Sequence, residues 1–243
     1  MTSLVSDCGR HRVRVVGRNG DRGAAVMRRR WHVAAAVLGA LGFVAFLQAP
    51  AALAKERSVL SLLRSLPVTA EQPSGYDRDL FPHWDYLGND CDVRDRVLIT
   101  EARKGPSTGT RCPVGRGRWF SAFDGVTVRD PSQLDVDHLV PLAEAWASGA
   151  RRWTTATREA FANDLGYSRS LIAVTASSNR SKGDQDPAEW LPPRTSYRCT
   201  YVSHWIAVKW RWRLSVDSRE SSALRVLVQS CGNPRIQAPA RAR

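Results

Sequence analysis

Residues 135–142 read Asp-Val-Asp-His-Leu-Val-Pro-Leu, and this stretch decides how we interpret the rest of the chain. Asp137 directly precedes His138, and apolar residues follow the pair. We predict a short strand over 134–142 that breaks at Pro141, because proline cannot donate to a strand ladder. The Asp-His pair then lies at the edge of a packed element. The alternative interpretation is a polar turn at the end of a strand.

The pair suits the hydrolysis of a phosphodiester. That reaction needs a base to take a proton from water, and positive charge to stabilise the phosphoryl group and the leaving oxygen. Histidine suits the first task, because its unperturbed pKa is about 6.5. A hard divalent cation held by a few protein oxygens suits the second. His138 and Asp137 offer one group for each task.

A second polar stretch, residues 179–184, reads Asn-Arg-Ser-Lys-Gly-Asp. An asparagine oxygen is a neutral metal ligand, and Arg180 and Lys182 are residue types that bind phosphate. We predict a helix here, capped by Ser177 or Ser178. The alternative is a solvated turn. Two helices and an apolar β-type run over 171–174 separate the two stretches, and together they are more specific than either alone.

In this arrangement the chain resembles the HNH endonucleases, also called ββα-metal or His-Me finger endonucleases. It is most similar to the HNH-type domain at the C-terminal end of GmrSD-type restriction endonucleases, in its small secreted actinobacterial version. The resemblance covers residues 76–231. Besides the two stretches above, it includes the runs 76–81, Tyr-Asp-Arg-Asp-Leu-Phe, and 186–190, Asp-Pro-Ala-Glu-Trp.

The resemblance implies a role for each matching residue. Asp137 and Asn179 would be ligands of a divalent metal, most simply Mg²⁺. His138 would be the general base that activates water. Lys182 and Arg180 would contact phosphate. The implied substrate is a nucleic acid, and we expect DNA rather than RNA.

One position departs from the family pattern. The middle asparagine that orients the catalytic histidine has no clear match: Ser170 and Leu171 occupy that neighbourhood, and Asn163 lies in the preceding predicted helix. A backbone carbonyl is the substitute that we consider. The separation of His138 and Asn179 also requires the two inserted helices to pack outside the site.

The N-terminal region indicates export. Arg28-Arg29-Arg30 precedes an uncharged apolar run over 33–47, and Ala52-Leu53-Ala54 follows. This order is typical of a secretory signal over 28–54, within a leader over 1–54 whose true start is predicted at Met27. We therefore expect a secreted protein without stable membrane association after cleavage. An uncleaved membrane anchor is the alternative, because about 20 apolar residues suffice to span a bilayer.

Charge and cysteine content agree with this interpretation. The leader contains eight of the 36 Lys and Arg and two of the 23 Asp and Glu, so the mature chain keeps a formal net charge of +7. A basic chain suits a polyanionic partner, although Arg-rich usage also follows from genome base composition. Four of the five cysteines lie beyond the leader, an even number that predicts two disulfides. We favour Cys91–Cys112 and Cys199–Cys231 among three pairings, since each closes a local loop.

We predict a single α+β domain, in which a ββα-metal core lies inside a mostly helical, disulfide-stabilised shell. Residues 55–75 are predicted as a linker with a short helix, 76–231 as the nuclease domain and 232–243 as a disordered tail. Residues 201–216 fit both a strand and a helix, and we choose helix because an unbroken run of that length is long for a strand.

The predicted function is metal-dependent cleavage of nucleic acid. A catalytically inactive nucleic-acid or cell-surface binding module of the same fold is the first alternative, and a different metal hydrolase such as a phosphatase is the second. The sequence leaves the oligomeric state open.

Overall fold

The computed structural model of the protein describes residues 55–105, 112 and 114–242. The predicted leader and signal over 1–54 lie outside these residues. Within them, none of the helices combines the length and the apolar character needed to cross a bilayer.

The described chain mixes short strands with longer helices, which confirms the α+β prediction. The helices are α1 (Val59–Leu63), α2 (Val93–Glu101), α3 (Leu142–Ala147), α4 (Thr155–Ala162), α5 (Ala176–Lys182), α6 (Arg198–Trp212) and α7 (Ser218–Ser230). The strands are β1 (Glu56–Ser58), β2 (Tyr86–Gly88), β3 (Cys91–Asp92), β4 (Trp119–Phe120), β5 (Thr127–Val128), β6 (Leu134–His138), β7 (Leu171–Thr175) and β8 (Arg235–Gln237). Each strand pairs with one partner, so the described sheets are two-stranded.

The strand pair β6–β7 carries the start of the first polar stretch. Strand β6 ends at His138, which is earlier than the predicted break at Pro141, because Pro141 is the N-cap of α3. The two strands are antiparallel, and Asp137 pairs with Ile172 while His138 pairs with Leu171. Alternate side chains enter two separate apolar clusters: Ile172 and Val174 enter the larger one, and Leu171 enters the smaller one. Both faces of β7 are therefore covered, which explains its unbroken apolar sequence.

Helix α6 confirms the helical choice for the first part of 201–216. It covers Arg198–Trp212 and is followed by Arg213, which adopts a left-handed conformation (φ 56°), so 213–216 lie outside the helix. Trp205 and Trp212 are buried in the larger core, and Trp210 is partly buried against it. A strand would have placed Trp205 on the face opposite to Trp210 and Trp212, whereas the helix packs against α1 and α7 and brings Trp212 onto Trp153 and Phe161.

Both ends of the described chain pack against the rest of the domain. The short helix that we predict within 55–75 is α1, whose Val59 and Leu62 are completely buried in the larger core. In the described part of the predicted tail, β8 pairs with β1 in an antiparallel ladder. These contacts bury the leucine side chains of α1 and give the backbone N–H groups of β1 hydrogen-bond acceptors.

Two disulfides close the predicted loops. Cys91 pairs with Cys112, with Cα atoms 4.9 Å apart. Cys199 pairs with Cys231, with Cα atoms 5.6 Å apart, and joins the start of α6 to the residue after α7. Both predicted pairings are confirmed.

A buried lysine holds α6, α3 and α7 together. Lys209 is completely buried, and its Nζ lies 2.6 Å from Glu144 Oε1 and 2.5 Å from Glu220 Oε2. The same ammonium donates to Ser148 Oγ and Ser215 O. Burial lowers the pKa of Lys209, but the two carboxylates outweigh it, so the net shift is upward. The lysine stays charged inside the core because its partners are buried with it.

We expect Lys209→Met to destabilise the protein by about 3–5 kcal/mol, because it leaves two buried carboxylates without a counter-charge. Chemical denaturation of the oxidised protein measures this. Adding Glu144→Gln and Glu220→Gln should recover part of the loss, and Arg225→Met on the exposed side of α7 is the control. A loss below about 1 kcal/mol for Lys209→Met would contradict the assignment.

Glu101 caps the open edge of β7 and should make stability depend on pH. Its Oε2 accepts a hydrogen bond from Ala173 N at 2.8 Å, and burial raises its pKa from 4.5 to about 7. The folded state therefore binds this proton more tightly than the unfolded state. Its stabilising contribution is complete below pH 4.5 and is lost as the pH rises through 7.

We expect Glu101→Gln to gain stability relative to the parent protein over this pH interval, on the order of 1–3 kcal/mol. Denaturation between about pH 4.5 and 8 measures the difference, because the protonation of Glu101 differs between the folded and unfolded states in this interval. The same change at the exposed Glu189 is the control. A difference that stays constant with pH would show that the carboxyl group of Glu101 does not titrate in this interval.

Candidate functional site

The two predicted polar stretches meet at one cavity. Strand β6 supplies Asp137 and His138, and α5 supplies Asn179 and Arg180. The cavity has a volume of about 200 Å³ and is lined by Arg78, Val136, Asp137, His138, Pro141, Leu142, Asn179, Arg180, Gly183 and Asp184. The structure thus brings together His138, Asp137, Asn179 and Arg180, while Lys182 lies beneath the site.

A backbone carbonyl fixes the orientation of His138. Its Nε2 lies 2.8 Å from the carbonyl oxygen of Ala162. A carbonyl oxygen can only accept a hydrogen bond, so Nε2 carries the proton and Nδ1 carries the lone pair in the neutral ring. No residue in the described part of the chain forms a hydrogen bond with Nδ1. From the sequence we consider a backbone carbonyl as the substitute for the absent asparagine, and the carbonyl of Ala162 is such a group.

The end of α4 explains why this carbonyl is available. Ala162 is the last residue of α4, and the last four carbonyls of a helix have no partner within it. Asn163 holds this end in place, since its side chain accepts from Asp85 N and donates to Pro82 O. The two inserted helices therefore contribute to the site, although we predict them to pack outside it.

Aromatic rings cover the buried side of His138. The ring of Trp84 stacks on the imidazole, with centroids 5.3 Å apart and planes inclined by 17°. His83 meets the imidazole edge-on, at 6.0 Å. Burial lowers the pKa of His138 to about 3, although its bond to Ala162 acts in the opposite direction. The imidazole is therefore neutral at physiological pH, which is the state that can accept a proton.

Asp137 is buried with one oxygen paired and the other free. Its Oδ1 accepts a hydrogen bond from Lys182 Nζ at 2.8 Å. Its Oδ2 is buried and has no hydrogen-bond partner in the described structure. Burial raises the pKa of Asp137, and the Lys182 ammonium only partly offsets this shift. An oxygen in this state is a candidate ligand for a cation.

Lys182 occupies a different place from the one that we predict. Its side chain is completely buried, and Nζ also donates to the carbonyl oxygen of His138 at 3.0 Å. The ammonium is therefore an internal counter-charge of Asp137 and is not presented to a phosphate. Arg180 is exposed at the cavity, as the phosphate prediction requires. Arg78, which we do not single out from the sequence, lies exposed at the same cavity.

Asn179 is oriented by a neighbouring carboxylate. Its Nδ2 donates to Asp135 Oδ2 at 3.0 Å. The amide nitrogen is thereby committed, and the amide oxygen is the atom left to accept or to bind a cation. Asp135 lies on the same strand as Asp137, and this hydrogen bond places its carboxylate beside Asn179.

Helix α5 is anchored by a residue that the sequence does not identify. Asp124 Oδ2 accepts hydrogen bonds from Thr175 Oγ1 and from Ser178 Oγ. These hydroxyls lower the pKa of Asp124, although burial acts against them. Asp124 lies in the β4–β5 turn, where the Asp-Gly pair predicts the hairpin but gives no sign of a long-range contact.

The oxygen donors at the cavity fit a hard divalent cation. Asp137 Oδ2 and the amide oxygen of Asn179 are the two candidate ligands, and the cavity has room for water beside them. The described residues also contain a group of three carboxylates, Glu71, Asp186 and Asp217, whose oxygens lie within 4.8 Å of one another. That group does not line this cavity, so an assay of metal binding must separate the two.

The comparisons with known proteins agree with this arrangement. Residues 108–226 match the model of a family described as GmrSD restriction endonucleases, C-terminal domain. A protein of Arthroderma benhamiae, named as an uncharacterized secreted protein, is 46% identical over 172 residues, which cover 70% of this chain and 83% of that protein. The chain belongs to the GmrSD C-terminal domain family. No solved structure matches this GmrSD C-terminal domain protein.

In the GmrSD C-terminal domain protein, we expect Lys182→Met to destabilise the fold by about 3–5 kcal/mol, because Asp137 would keep a buried charge without a partner. Chemical denaturation measures this. The control is Arg180→Met, an exposed position two residues earlier in the same helix, for which we expect a change within about 0.5 kcal/mol. Equal stability of the two variants would restore the phosphate role that we predict for Lys182.

Proposed function

We propose that this GmrSD C-terminal domain protein is a secreted, metal-dependent endonuclease. In this proposal His138 is the general base, and Asp137 and Asn179 hold a divalent cation, most simply Mg²⁺. The strand pair β6–β7 and the following α5 form the ββα unit of an HNH nuclease. The observation that carries the proposal is the orientation of His138 beside the unpaired Oδ2 of Asp137.

Each residue has a defined task in the proposed reaction. The Ala162 carbonyl holds the proton on Nε2, so Nδ1 of His138 takes the proton of the attacking water. The carbonyl lies at the C-terminal end of α4, whose partial negative charge stabilises the imidazolium that forms. Lys182 opposes the rise in the pKa of Asp137 that burial causes. Arg180 and Arg78 bind the phosphate oxygens at the open side of the cavity.

A divalent cation held by Asp137 and Asn179 would offset the charge of the phosphoryl group and of the leaving oxygen. Trp84 and His83 exclude water from the inner face of His138, so the ring has one direction in which to exchange a proton. Family membership and the disulfides support a nuclease that works outside the cell. The basic mature chain supports a nucleic-acid substrate, with DNA favoured over RNA.

Cleavage of supercoiled plasmid tests the proposal. Purified, oxidised protein with Mg²⁺ should nick the plasmid, and EDTA should abolish nicking. We expect His138→Ala to lower the rate by roughly 10²–10⁴-fold, the usual contribution of a general base. Added imidazole should restore part of the activity of His138→Ala, because the variant leaves a space where the ring was.

Variants of the metal ligands complete the test. Asn179→Ala should lose Mg²⁺-dependent nicking and keep the unfolding transition of the parent. The control is Glu71→Gln, which alters the separate carboxylate group and should keep nicking intact. Folded protein that cleaves neither DNA nor RNA with Mg²⁺, Mn²⁺ or Ca²⁺ would overturn the proposal in favour of a binding module.

A further inference from the structure

A second and larger cavity lies on the open edge of β7. Its volume is about 960 Å³, at the upper end of the roughly 300–1,000 Å³ that small-molecule sites occupy. Strand β7 forms its floor with Leu171–Ala173, and α2 and the segment 164–169 form two of its walls. It shares none of its lining residues with the cavity at His138.

Four guanidinium groups surround this cavity. They belong to Arg96, Arg103, Arg169 and Arg194, which come from four separate segments of the chain. The first three are exposed and the fourth is half-buried. None of them forms an ion pair with a carboxylate in the described part of the protein. Four uncompensated cations around one concave surface attract an anion with several charges.

Aromatic rings lie between the arginines. The guanidinium carbon of Arg103 is 3.9 Å from the centroid of Phe120, and that of Arg194 is 4.8 Å from the same centroid. Tyr167 and Tyr197 line the cavity as well, and each is partly exposed. Arginine and aromatic side chains that alternate in this way bind the phosphates and the bases of single-stranded nucleic acids.

The two acidic residues of the cavity do not cancel its positive charge. Asp164 is occupied by Arg211, which donates to it at 2.8 and 2.9 Å, and by Ser170 Oγ at 2.7 Å. Glu101 accepts a hydrogen bond from Ala173 N at the floor and interacts with Arg169, so it offsets at most one of the four positive charges. Two apolar side chains, Leu87 and Leu165, are each 43% exposed and lie at the rim. They offer apolar contact to a planar base.

We propose that this cavity is a second nucleic-acid site, which binds a nucleotide through its phosphate and its stacked base. The inference shares the substrate class of the proposed nuclease but does not depend on cleavage. A duplex would hide its bases from Phe120, Tyr167 and Tyr197, so the ligand is a single strand or a free nucleotide.

The two cavities adjoin the same strand pair, β6–β7. Ile172 lines the second cavity and pairs across the sheet with Asp137 of the first. Paired residues of an antiparallel ladder have Cα atoms about 4.5–5.5 Å apart. A strand held in the second cavity is therefore anchored to the same two-stranded ladder that presents His138.

Binding in EDTA tests the inference without cleavage. The probe is a fluorescent oligothymidylate of about 12 nucleotides, within the usual range for such sites. We expect Arg103→Ala with Arg169→Ala to weaken binding by about tenfold or more at low salt. The slope of log K against log salt should fall by about 1.4, because two phosphate contacts are lost. The control, Arg151→Ala with Arg225→Ala, removes the same charge from exposed positions elsewhere and should change affinity by less than about threefold.

Two further measurements test whether the cavity contacts a base and whether the ligand is a strand or a free nucleotide. An abasic oligomer of equal charge should bind roughly fivefold more weakly or worse, and Phe120→Leu should remove most of this preference. Displacement of the probe by a nucleoside monophosphate identifies a free nucleotide as sufficient, whereas displacement by strands alone identifies the strand; both support the site.

Equal loss of affinity in both arginine pairs, or equal binding of the abasic oligomer, would overturn the inference. The outcome is separate from that of the nuclease assay, because binding can persist in a protein that does not cleave. A protein that cleaves plasmid but does not bind the probe at this cavity would overturn the inference and leave the nuclease proposal standing.

Discussion

The ion pair between Lys182 and Asp137 is the interaction on which the geometry of the candidate site depends. It joins the last turn of α5 to the end of β6, and both partners are buried. The same ammonium donates to the carbonyl oxygen of His138, so one side chain fixes the two consecutive residues to which we assign the proposed chemistry. A buried pair of this kind costs desolvation and gives little net stability. Its contribution is therefore to position Asp137 with one oxygen engaged and the other left free.

The central strand pair and the meeting of the two polar stretches could be predicted from the sequence, because they depend on local patterns. The polar stretches at 135–142 and 179–184 and the apolar run at 171–174 have signals in neighbouring residues. The cap of α5 is Thr175, so the prediction of Ser177 or Ser178 was wrong. The two disulfides follow from the even number of cysteines and the shorter loops. Asp137, His138, Asn179 and Arg180 accordingly meet at one cavity.

The remaining features depend on contacts between distant segments, and no local pattern specifies them. Lys182 resembles any phosphate-binding lysine in sequence, and only the packing of α5 against β6 shows that its ammonium is buried. The carbonyl of Ala162 has no side-chain signature at all. The pairing of β1 with β8 also has no local signal. Residues 56–58 are polar and residues 235–237 contain the single apolar Ile236, and each segment becomes a strand through the backbone of the other.

The pairing of β1 with β8 has a consequence for how the fold closes. Strand β1 and α1 precede the candidate site in the chain, whereas α6, α7 and β8 follow it. The β1–β8 ladder and the packing of α1 on α6 and α7 therefore close a loop of chain that contains Asp137, His138 and Asn179. The entropy cost of closing a loop grows only slowly with its length, so a closure over so many residues is tolerated. The contacts between the two flanks of the loop enclose the segment that carries the candidate site.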